Sequence, residues 1–440
     1  MNASASDAQV FEELRPPLAQ QDALLEADRC LECGGAYAPA PCMVACPTGV
    51  DVASFIGAIA EDDPAAAART IFSENLLGAT CARVCPVEVL CEAACVLTES
   101  GQRPIAIAAL QRYATDRALE DGCAIRERMP SNGLRVAVIG AGPAGLVCAG
   151  ELAARGYEVT VFDERDEVGG LVRYAIAPYR QVREPLPQEA AALERLGVEF
   201  RLGSRIGPSE LQALAATVDA VFLGVGMGPD TRISCPGRDL TGVWDSLPFI
   251  EAIKTGAPLD IGSRAVVIGG GNTAIDVARE ALRLGADEVT LLYRRGESEM
   301  PAYHHEVDEA REEGIRFRFL TAPVRFLGGQ RLEAVECQSM RLGDPDPSGR
   351  PRPEPVPGAT FTLPADTAVA AIGQQPRFEL PDWIPGLELE RGGIKVDEET
   401  GQTTSPKFFA GGDAVNGGAS AVEAVREAKR AAKAIDEWLR

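Results

Sequence analysis

The sequence predicts an α/β fold in which two parallel βαβ units follow an α-helical segment. Three observations predict it. Residues 1–128 are rich in Ala, Leu and Glu and lack strand-like alternation, which favours helices. A buried strand, a glycine turn, a helix and a second strand begin at Leu134, and the same succession begins again at Ser263. Each succession is typical of a parallel βαβ unit, so we expect two parallel sheets flanked by helices.

Composition restricts the partners and the location of the protein. The chain has 440 residues, 46% of them hydrophobic, which is enough for two or three domains. Its 43 basic and 65 acidic side chains give a net charge of −22, which argues against nucleic acid because a phosphate backbone attracts basic surfaces. The sequence shows no export signal and no run of about 18 apolar residues. We therefore expect a cytoplasmic protein that binds neither nucleic acid nor membranes.

Eight of the twelve cysteines lie between Cys30 and Cys95, within the helical segment. In a reducing compartment, clustered thiols are more often metal ligands than disulfides. An iron–sulfur cubane takes four ligands, usually thiolates, so eight cysteines predict two 4Fe-4S clusters. Four thiolates also suit tetrahedral zinc. The Cys-Pro pairs at Cys46 and Cys85 favour iron–sulfur clusters over zinc.

The first βαβ unit carries the pattern G-x-G-x-x-G directly after the strand "RVAVI". Its first glycine allows a tight turn, the second lets the backbone approach a pyrophosphate, and the third lets helix and strand pack closely. Asp163 ends the second strand, where its carboxylate can accept hydrogen bonds from a ribose. The predicted dinucleotide contacts are Gly140, Gly142, Pro143, Ala144, Gly145 and Asp163.

The second βαβ unit carries G-x-G-x-x-A between its strand and its helix. Its second strand ends at Arg294 and Arg295, where an NAD site usually presents a carboxylate. Two guanidinium groups suit a 2′-phosphate, which favours NADP(H) over NAD(H), although both arginines could also be ordinary surface residues. The predicted coenzyme contacts are Gly269, Gly271, Asn272, Thr273, Ala274, Arg294 and Arg295.

A third signal lies near the C-terminus, in "KFFAGGDAVNGGASAVEAVREAKRAAKAI". Gly412 and Asp413 follow a strand, and a helix opens near Ala419, so a carboxylate and a helix N-terminus are placed to contact a flavin. One nucleotide site would then hold FAD and the other would deliver hydride to it. The sequence thus predicts two Rossmann-like dinucleotide-binding domains, with boundaries at 1–128 for the α-helical iron–sulfur domain, 129–258 and 372–440 for the FAD domain, and 259–371 for the NAD(P) domain.

On these motifs the chain resembles flavoprotein electron-input subunits related to the small subunit of glutamate synthase and to the N-terminal half of dihydropyrimidine dehydrogenase. Further shared features are "EVGG", which ends at Gly170 and adds that residue to the FAD contacts, and "AVAAIGQQP" at residues 368–376. The resemblance implies that hydride passes from NAD(P)H to FAD and that single electrons leave through two 4Fe-4S clusters to a partner.

Two stretches, "CPTGVDVASFI" and "LLGATCARVCP", favour the dihydropyrimidine dehydrogenase branch of this family. That branch implies a hetero-oligomer whose separate catalytic subunit, an FMN barrel, reduces uracil or thymine. Two alternatives stay open: the small subunit of glutamate synthase, and a general module that reduces ferredoxin. The sequence identifies no catalytic side chain, and His304 and His305 are expected on the surface.

The resemblance also implies how the cysteines divide between the clusters. Cys81 would be a spare thiol, and Gln111 would supply an amide oxygen as a ligand. Eight residues separate Cys33 from Cys42, whereas the family usually has four. The implied ligand sets are Cys30, Cys33, Cys42 and Cys95 for one cluster, and Cys46, Cys85, Cys91 and Gln111 for the other.

One stretch carries no predicted chemistry. Residues 343–358, "GDPDPSGRPRPEPVPG", are rich in proline and are expected to form a surface loop between strands of the second unit.

Overall fold

A computed structural model describes residues 13–35, 37–181, 185–346 and 349–440 of the chain. These residues form two compact units. The larger unit comprises Glu13–Ile176, Arg183–Met227 and Pro376–Arg440, and the smaller unit contains Ala177–Val182 and Gly228–Gln375. Across these described ranges, no helix has both the length and the apolar character needed to cross a membrane.

The larger unit begins with the predicted helices. Two of them start where a short polar side chain satisfies a free backbone N–H group: Asp51 accepts from Ser54 N at 3.1 Å, and Asp63 accepts from Ala66 N at 2.8 Å. Pro64 follows at the first position of its helix, which needs no N–H donor. The helices are α1 (Gln20–Ala27), α2 (Pro41–Ala45), α3 (Val52–Ala60), α4 (Pro64–Glu74), α5 (Gly78–Val84) and α6 (Ile107–Glu120).

The first parallel sheet follows, as the sequence predicts. Its strands are β1 (Arg135–Ile139), β2 (Glu158–Phe162), β3 (Val198–Arg201) and β4 (Ala220–Leu223). The helices of this stretch are α7 (Pro143–Ala154), α8 (Leu171–Tyr174), α9 (Leu186–Arg195) and α10 (Pro208–Thr217). The three central residues of β1 are buried, and the strand pairs in parallel with both β2 and β4, which explains its apolar sequence.

The smaller unit contains the second parallel sheet, whose strands are β5 (Val243–Asp245), β6 (Arg264–Ile268), β7 (Glu288–Leu292), β8 (Arg316–Arg318) and β12 (Thr367–Ala370). Their order in the sheet is β5-β12-β6-β7-β8. Its helices are α11 (Ser246–Lys254), α12 (Asn272–Arg283) and α13 (His304–Glu312). The expected boundary between residues 258 and 259 falls inside this unit, because β5 pairs with β12 in the register Ala368↔Val243.

A three-stranded antiparallel sheet in the smaller unit corrects the expectation of a loop at 343–358. Its strands are β9 (Thr321–Gly328), β10 (Leu332–Pro345) and β11 (Pro351–Pro364), with β10 in the centre. β11 is an edge strand, so prolines that cannot donate ladder hydrogen bonds are tolerated there, as at Pro353 and Pro355. Residues 347 and 348 lie outside the described residues.

The chain then returns to the larger unit and completes the first sheet. The remaining elements are α14 (Leu380–Trp383), β13 (Leu389–Glu390), β14 (Gly393–Ile394), β15 (Phe408–Ala410), α15 (Asp413–Asn416) and α16 (Ala421–Leu439). The finished sheet has the order β15-β4-β1-β2-β3. One continuous core joins it to the N-terminal helices, since Phe72 and Leu110 belong to the same buried cluster as Leu152 and Val425.

Candidate redox site

Cys30, Cys33, Cys42 and Cys95 line one cavity in the N-terminal helical region. We call it the first cysteine cavity. Its other walls are apolar, among them Val52 and Ile56 of α3. The fold thus brings the thiol of residue 95 to three thiols that are more than fifty positions earlier in the chain, as the resemblance implies.

A second cysteine cavity is lined by Cys46, Cys81, Cys85, Cys91 and Gln111. Val422 of α16 also lines it, so this cavity lies beside the C-terminal helix of the larger unit. Within the described part of the chain, no three His, Cys, Asp or Glu side chains are close enough to hold a single metal ion together.

Burial raises the pKa of the thiols of Cys30, Cys42 and Cys91. Burial, and then the thiols of Cys30 and Cys95, raise the pKa of Cys42 to about 11. Burial, followed by Glu92, Cys46 and Cys42, raises the pKa of Cys91 still further. The two cavities are neighbours, because Cys42 in α2 lines the first and Cys46, the residue after α2, lines the second. Such thiols become thiolates only when a cationic metal centre compensates their charge.

Gln111 of α6 reaches the second cavity with its amide held in one orientation. Its Nε2 donates a hydrogen bond of 2.7 Å to the carbonyl oxygen of Gly78, the first residue of α5. Because a carbonyl can only accept, the amide nitrogen must face Gly78, and Oε1 is the amide atom left for the cavity. Cys81, which is 2% exposed, lines the same cavity, and its hydrogen bond with the Cys85 thiol raises the pKa of Cys85.

The first glycine fingerprint forms the turn between β1 and α7. A Cβ atom on Gly140 would lie 2.3 Å from the carbonyl oxygen of Gly224, and one on Gly145 would lie 1.8 Å from that of Gly140. Both positions therefore require glycine for packing. Gly142 differs, since the nearest atom to its Cβ position is 3.9 Å away. Its open space is where a pyrophosphate can approach the N-terminus of α7, which begins at Pro143 and Ala144.

Asp163 and Gly170 border the same turn. The Asp163 carboxylate accepts from Ala141 N at 2.6 Å and from Arg165 N at 2.8 Å, which fixes it at the end of β2. Gly170 packs against the glycine turn, because a Cβ there would lie 3.0 Å from Gly142 Cα.

A second wall of the predicted flavin site is the segment between β15 and α16. Gly412 has φ +72°, and its N–H donates to Glu427 Oε2 at 2.7 Å. Burial raises the pKa of Asp413, which accepts a bond from Ala419 N at 3.3 Å. Sequence reasoning missed Glu427, a buried carboxylate of α16 that holds this turn; its position among ordinary helix-forming residues gave no signal.

The second glycine fingerprint joins β6 to α12. A Cβ on Gly269 would lie 2.1 Å from the carbonyl oxygen of Ala371, whereas no atom lies within 4 Å of the Cβ position of Gly271. Asn272 Oδ1 accepts from Tyr303 N at 3.0 Å, so it fixes a neighbouring loop. Thr273 is exposed and Ala274 is fully buried in the first turn of α12. This turn repeats the cradle of the first fingerprint.

The two arginines after β7 have different environments. Arg294 is exposed, and its guanidinium is accessible to a phosphate. Arg295 is 5% exposed, donates from Nε to the Pro351 carbonyl oxygen at 2.8 Å, and pairs with Asp346 at 3.3 Å. Arg295 therefore supports the β10–β11 hairpin, contrary to the expectation that both guanidinium groups serve the coenzyme.

The predicted surface histidines begin α13. His304 is exposed, and the ring of His305 stacks on Tyr303 with centroids 5.7 Å apart.

Two family models match the chain. Residues 7–123 match "dihydropyrimidine dehydrogenase domain II, 4Fe-4S cluster", and residues 134–428 match "pyridine nucleotide-disulphide oxidoreductase". The first match covers the cysteine-lined helices and the second covers both glycine cradles.

Curated relatives match over nearly the whole length. The NADPH glutamate synthase small chain of Halomonas elongata is 39% identical, covering 98% of this chain and 94% of the relative. That of Escherichia coli is 35% identical over the same shares. The NADP(+)-dependent formate dehydrogenase subunit beta of Moorella thermoacetica is 36% identical, covering 92% of this chain and 60% of the relative.

Solved structures are similar in fold. FprA of Mycobacterium tuberculosis in complex with NADPH has a TM-score of 0.59 at 21% identity, covering 70% of this chain and 84% of its own. Thioredoxin reductase of T. acidophilum has a TM-score of 0.53 at 17% identity, covering 69% and 98% respectively.

Proposed function

We propose that this chain, which belongs to the pyridine nucleotide-disulphide oxidoreductase family and has glutamate synthase small chain-like relatives, is the electron-input subunit of a larger enzyme. It is an NAD(P)H-dependent FAD/iron–sulfur oxidoreductase. The observation that carries the proposal is the presence, in one chain, of two glycine cradles and two cysteine-lined cavities.

Different residues would bind the flavin, the coenzyme and the clusters. The cradle at Gly142 with Asp163 and Asp413 fits FAD, and the cradle at Gly271 with Arg294 fits NADPH. A bound flavin supplies the step from a two-electron hydride to single electrons, which clusters can carry. The proposed ligand sets are Cys30, Cys33, Cys42 and Cys95 in the first cavity, and Cys46, Cys85, Cys91 and Gln111 in the second.

The positions of the two cavities relative to α16 support an order for the electron path. The second cavity borders Val422, two residues after Ser420, the N-cap of α16 beside the predicted flavin segment. Lys429 of the same helix donates to Thr48 O at 3.4 Å, close to Cys46. The short helix α2 joins this cavity to the first one, since Cys42 lines the first and Cys46 the second. Electrons would therefore pass from the flavin site to the second cavity, then to the first.

Glutamate synthase is the best supported destination. Small chains of that enzyme match this chain over almost their entire length, which favours the alternative given above over pyrimidine reduction. The partner would be a separate large subunit that forms glutamate.

Pyrimidine reduction is a second candidate because of Gln111. In the glutamate synthase branch we expect an acidic residue at position 111 and no cysteine at position 81, whereas this chain has an amide and a thiol that both line the second cavity.

Co-purification of the tagged chain from its own cells, followed by assay of the complex, would identify the partner. We expect NADPH-dependent glutamate formation by the complex and none by the chain alone. NADPH-dependent reduction of uracil or thymine in the complex, without glutamate formation, would instead support the second candidate. Reduction of ferredoxin by the isolated chain with neither activity in any complex would reject both.

Replacing Arg294 with alanine is expected to raise the KM for NADPH and to leave that for NADH unchanged. Loss of a charged hydrogen bond to phosphate costs about 1.5–3 kcal/mol, or roughly 10- to 100-fold. Steady-state reduction of a dye acceptor measures both values. The matched control is Arg295→Ala, which should lower the melting temperature through its lost bond to Pro351 without changing the coenzyme preference. An unchanged KM for NADPH in Arg294→Ala would contradict this assignment.

A further inference from the structure

Glu189 lies in α9, a helix that packs on β3, and its carboxylate has no exposed surface. It accepts hydrogen bonds from the backbone N–H groups of Ala79 at 3.0 Å and Thr80 at 3.1 Å, and from the Thr80 hydroxyl. These N–H groups belong to the first turn of α5, where helix geometry leaves donors without intrahelical partners. A carboxylate from a helix that packs on the first parallel sheet therefore caps a helix of the cysteine-rich region.

The helix that Glu189 caps forms one wall of the second cysteine cavity. α5 begins at Gly78, whose carbonyl oxygen holds the Gln111 amide nitrogen, and ends next to Cys85. A shift of the first turn of α5 would therefore move the acceptor that orients Gln111. The same helix also carries Cys81, so the connection holds whichever of the two completes the ligand set.

We propose that Glu189 is a positioning residue for the metal centre of the second cysteine cavity: it fixes the N-terminus of α5 and thereby orients Gln111 and Cys85 toward the metal. This inference rests on the proposed function, because it requires a cluster in that cavity. Groups that bond to ligand-bearing elements commonly orient ligands and tune the metal.

The charge of Glu189 is also expected to act on the cluster. Burial raises the pKa of Glu189 to about 7, while the bonds from Thr80 and the charge of Arg83 lower it. Charged groups on the elements packed against α9 have partners of their own: Arg83 of α5 pairs with Asp116 of α6, Glu151 of α7 pairs with Arg126 and Arg155, and Arg201 pairs with Glu199 within β3. Glu189 would therefore lose its proton near neutral pH, and its negative charge would disfavour the added electron of a reduced cluster.

The test compares Glu189→Gln with Glu151→Gln in the full-length chain, each with flavin and clusters bound. Glutamine keeps an oxygen that can accept the backbone bonds but carries no charge. Glu151 is a matched control, because it is equally buried in the same unit and caps no helix of the cysteine-rich region. The measurements are iron content and an EPR-monitored redox titration of each cluster between pH 6 and 8.5.

We expect the wild-type potential of the cluster in the second cavity to fall as pH rises through about 7. In Glu189→Gln it should be higher at pH 8, independent of pH in this range, and accompanied by an altered EPR spectrum. Glu151→Gln should behave as wild type. Wild-type potentials and spectra in Glu189→Gln, with both clusters present, would overturn the inference. Absence of a second cluster from the wild-type chain would instead reject the proposed function.

If Glu189→Gln does not retain its clusters, the variant Thr80→Val separates loss of the positioning role from a failure to fold. This variant removes one hydroxyl donor to Glu189 and leaves both backbone bonds. A shifted potential in Thr80→Val supports the positioning role, and an unshifted potential and pH profile would contradict it.

Discussion

Gly142→Ala is expected to lose flavin while keeping its fold. Gly142 has φ −74° and ψ 179°, which alanine adopts freely, and its Cβ position has no neighbour closer than 3.9 Å. The added methyl group would occupy the space left for the pyrophosphate. Forcing an extra methyl into a filled site costs about 1–3 kcal/mol, so we expect flavin affinity to fall by roughly 10- to 100-fold.

Flavin content after gel filtration and titration of the apoprotein with FAD measure this effect, and circular dichroism checks the fold. The control Gly329→Ala adds a methyl group to open space between β9 and β10. Gly271→Ala makes the same change in the second cradle, where the expected result is a higher KM for NADPH at normal flavin content. Full flavin affinity in Gly142→Ala would show that the pyrophosphate lies elsewhere.

Cys91→Ala is expected to remove one cluster and to interrupt the electron path. Two cubanes hold about eight iron atoms and about eight sulfides, so the variant should contain about four of each. Reduction of the flavin by NADPH should continue, because the glycine cradles are unchanged. Transfer to a one-electron acceptor should fall on the order of 100-fold, since the flavin is left without its neighbouring carrier.

The measurements are iron and acid-labile sulfide analysis, anaerobic flavin bleaching by NADPH, and one-electron acceptor assays. Cys123→Ala is the matched control, because Cys123 is exposed and lines neither cavity. Cys42→Ala should likewise remove one cluster, but from the first cavity. Iron content that stays near the wild-type value in Cys91→Ala would rule out this cysteine as a ligand.

The glycine fingerprints could be predicted in detail because they express local backbone requirements. Gly140 and Gly145 face carbonyl oxygens at distances that leave no room for a side chain, and Gly142 and Gly271 leave space for a ligand. These needs fix both the residue type and its spacing, so the sequence pattern is sufficient to locate the turns.

The division of the cysteines between two clusters could be predicted only from the family resemblance. Nothing in the spacing of the eight cysteines selects Cys95 as the companion of Cys30, because that pairing depends on how the helices pack. The loop predicted at 343–358 was wrong for a similar reason: proline usually ends strands, but the edge strand β11 tolerates it.

The sequence by itself determined the α/β class, the two nucleotide-binding turns and the cysteine-rich helical region, since each follows from local chain geometry or ligand chemistry. Only the tertiary structure decided which arginine supports a hairpin, where the smaller unit begins, and that Glu189 caps the helix beside Gln111. Those features join residues far apart in the chain. Their partners are chosen by packing and burial, which no short stretch of sequence encodes.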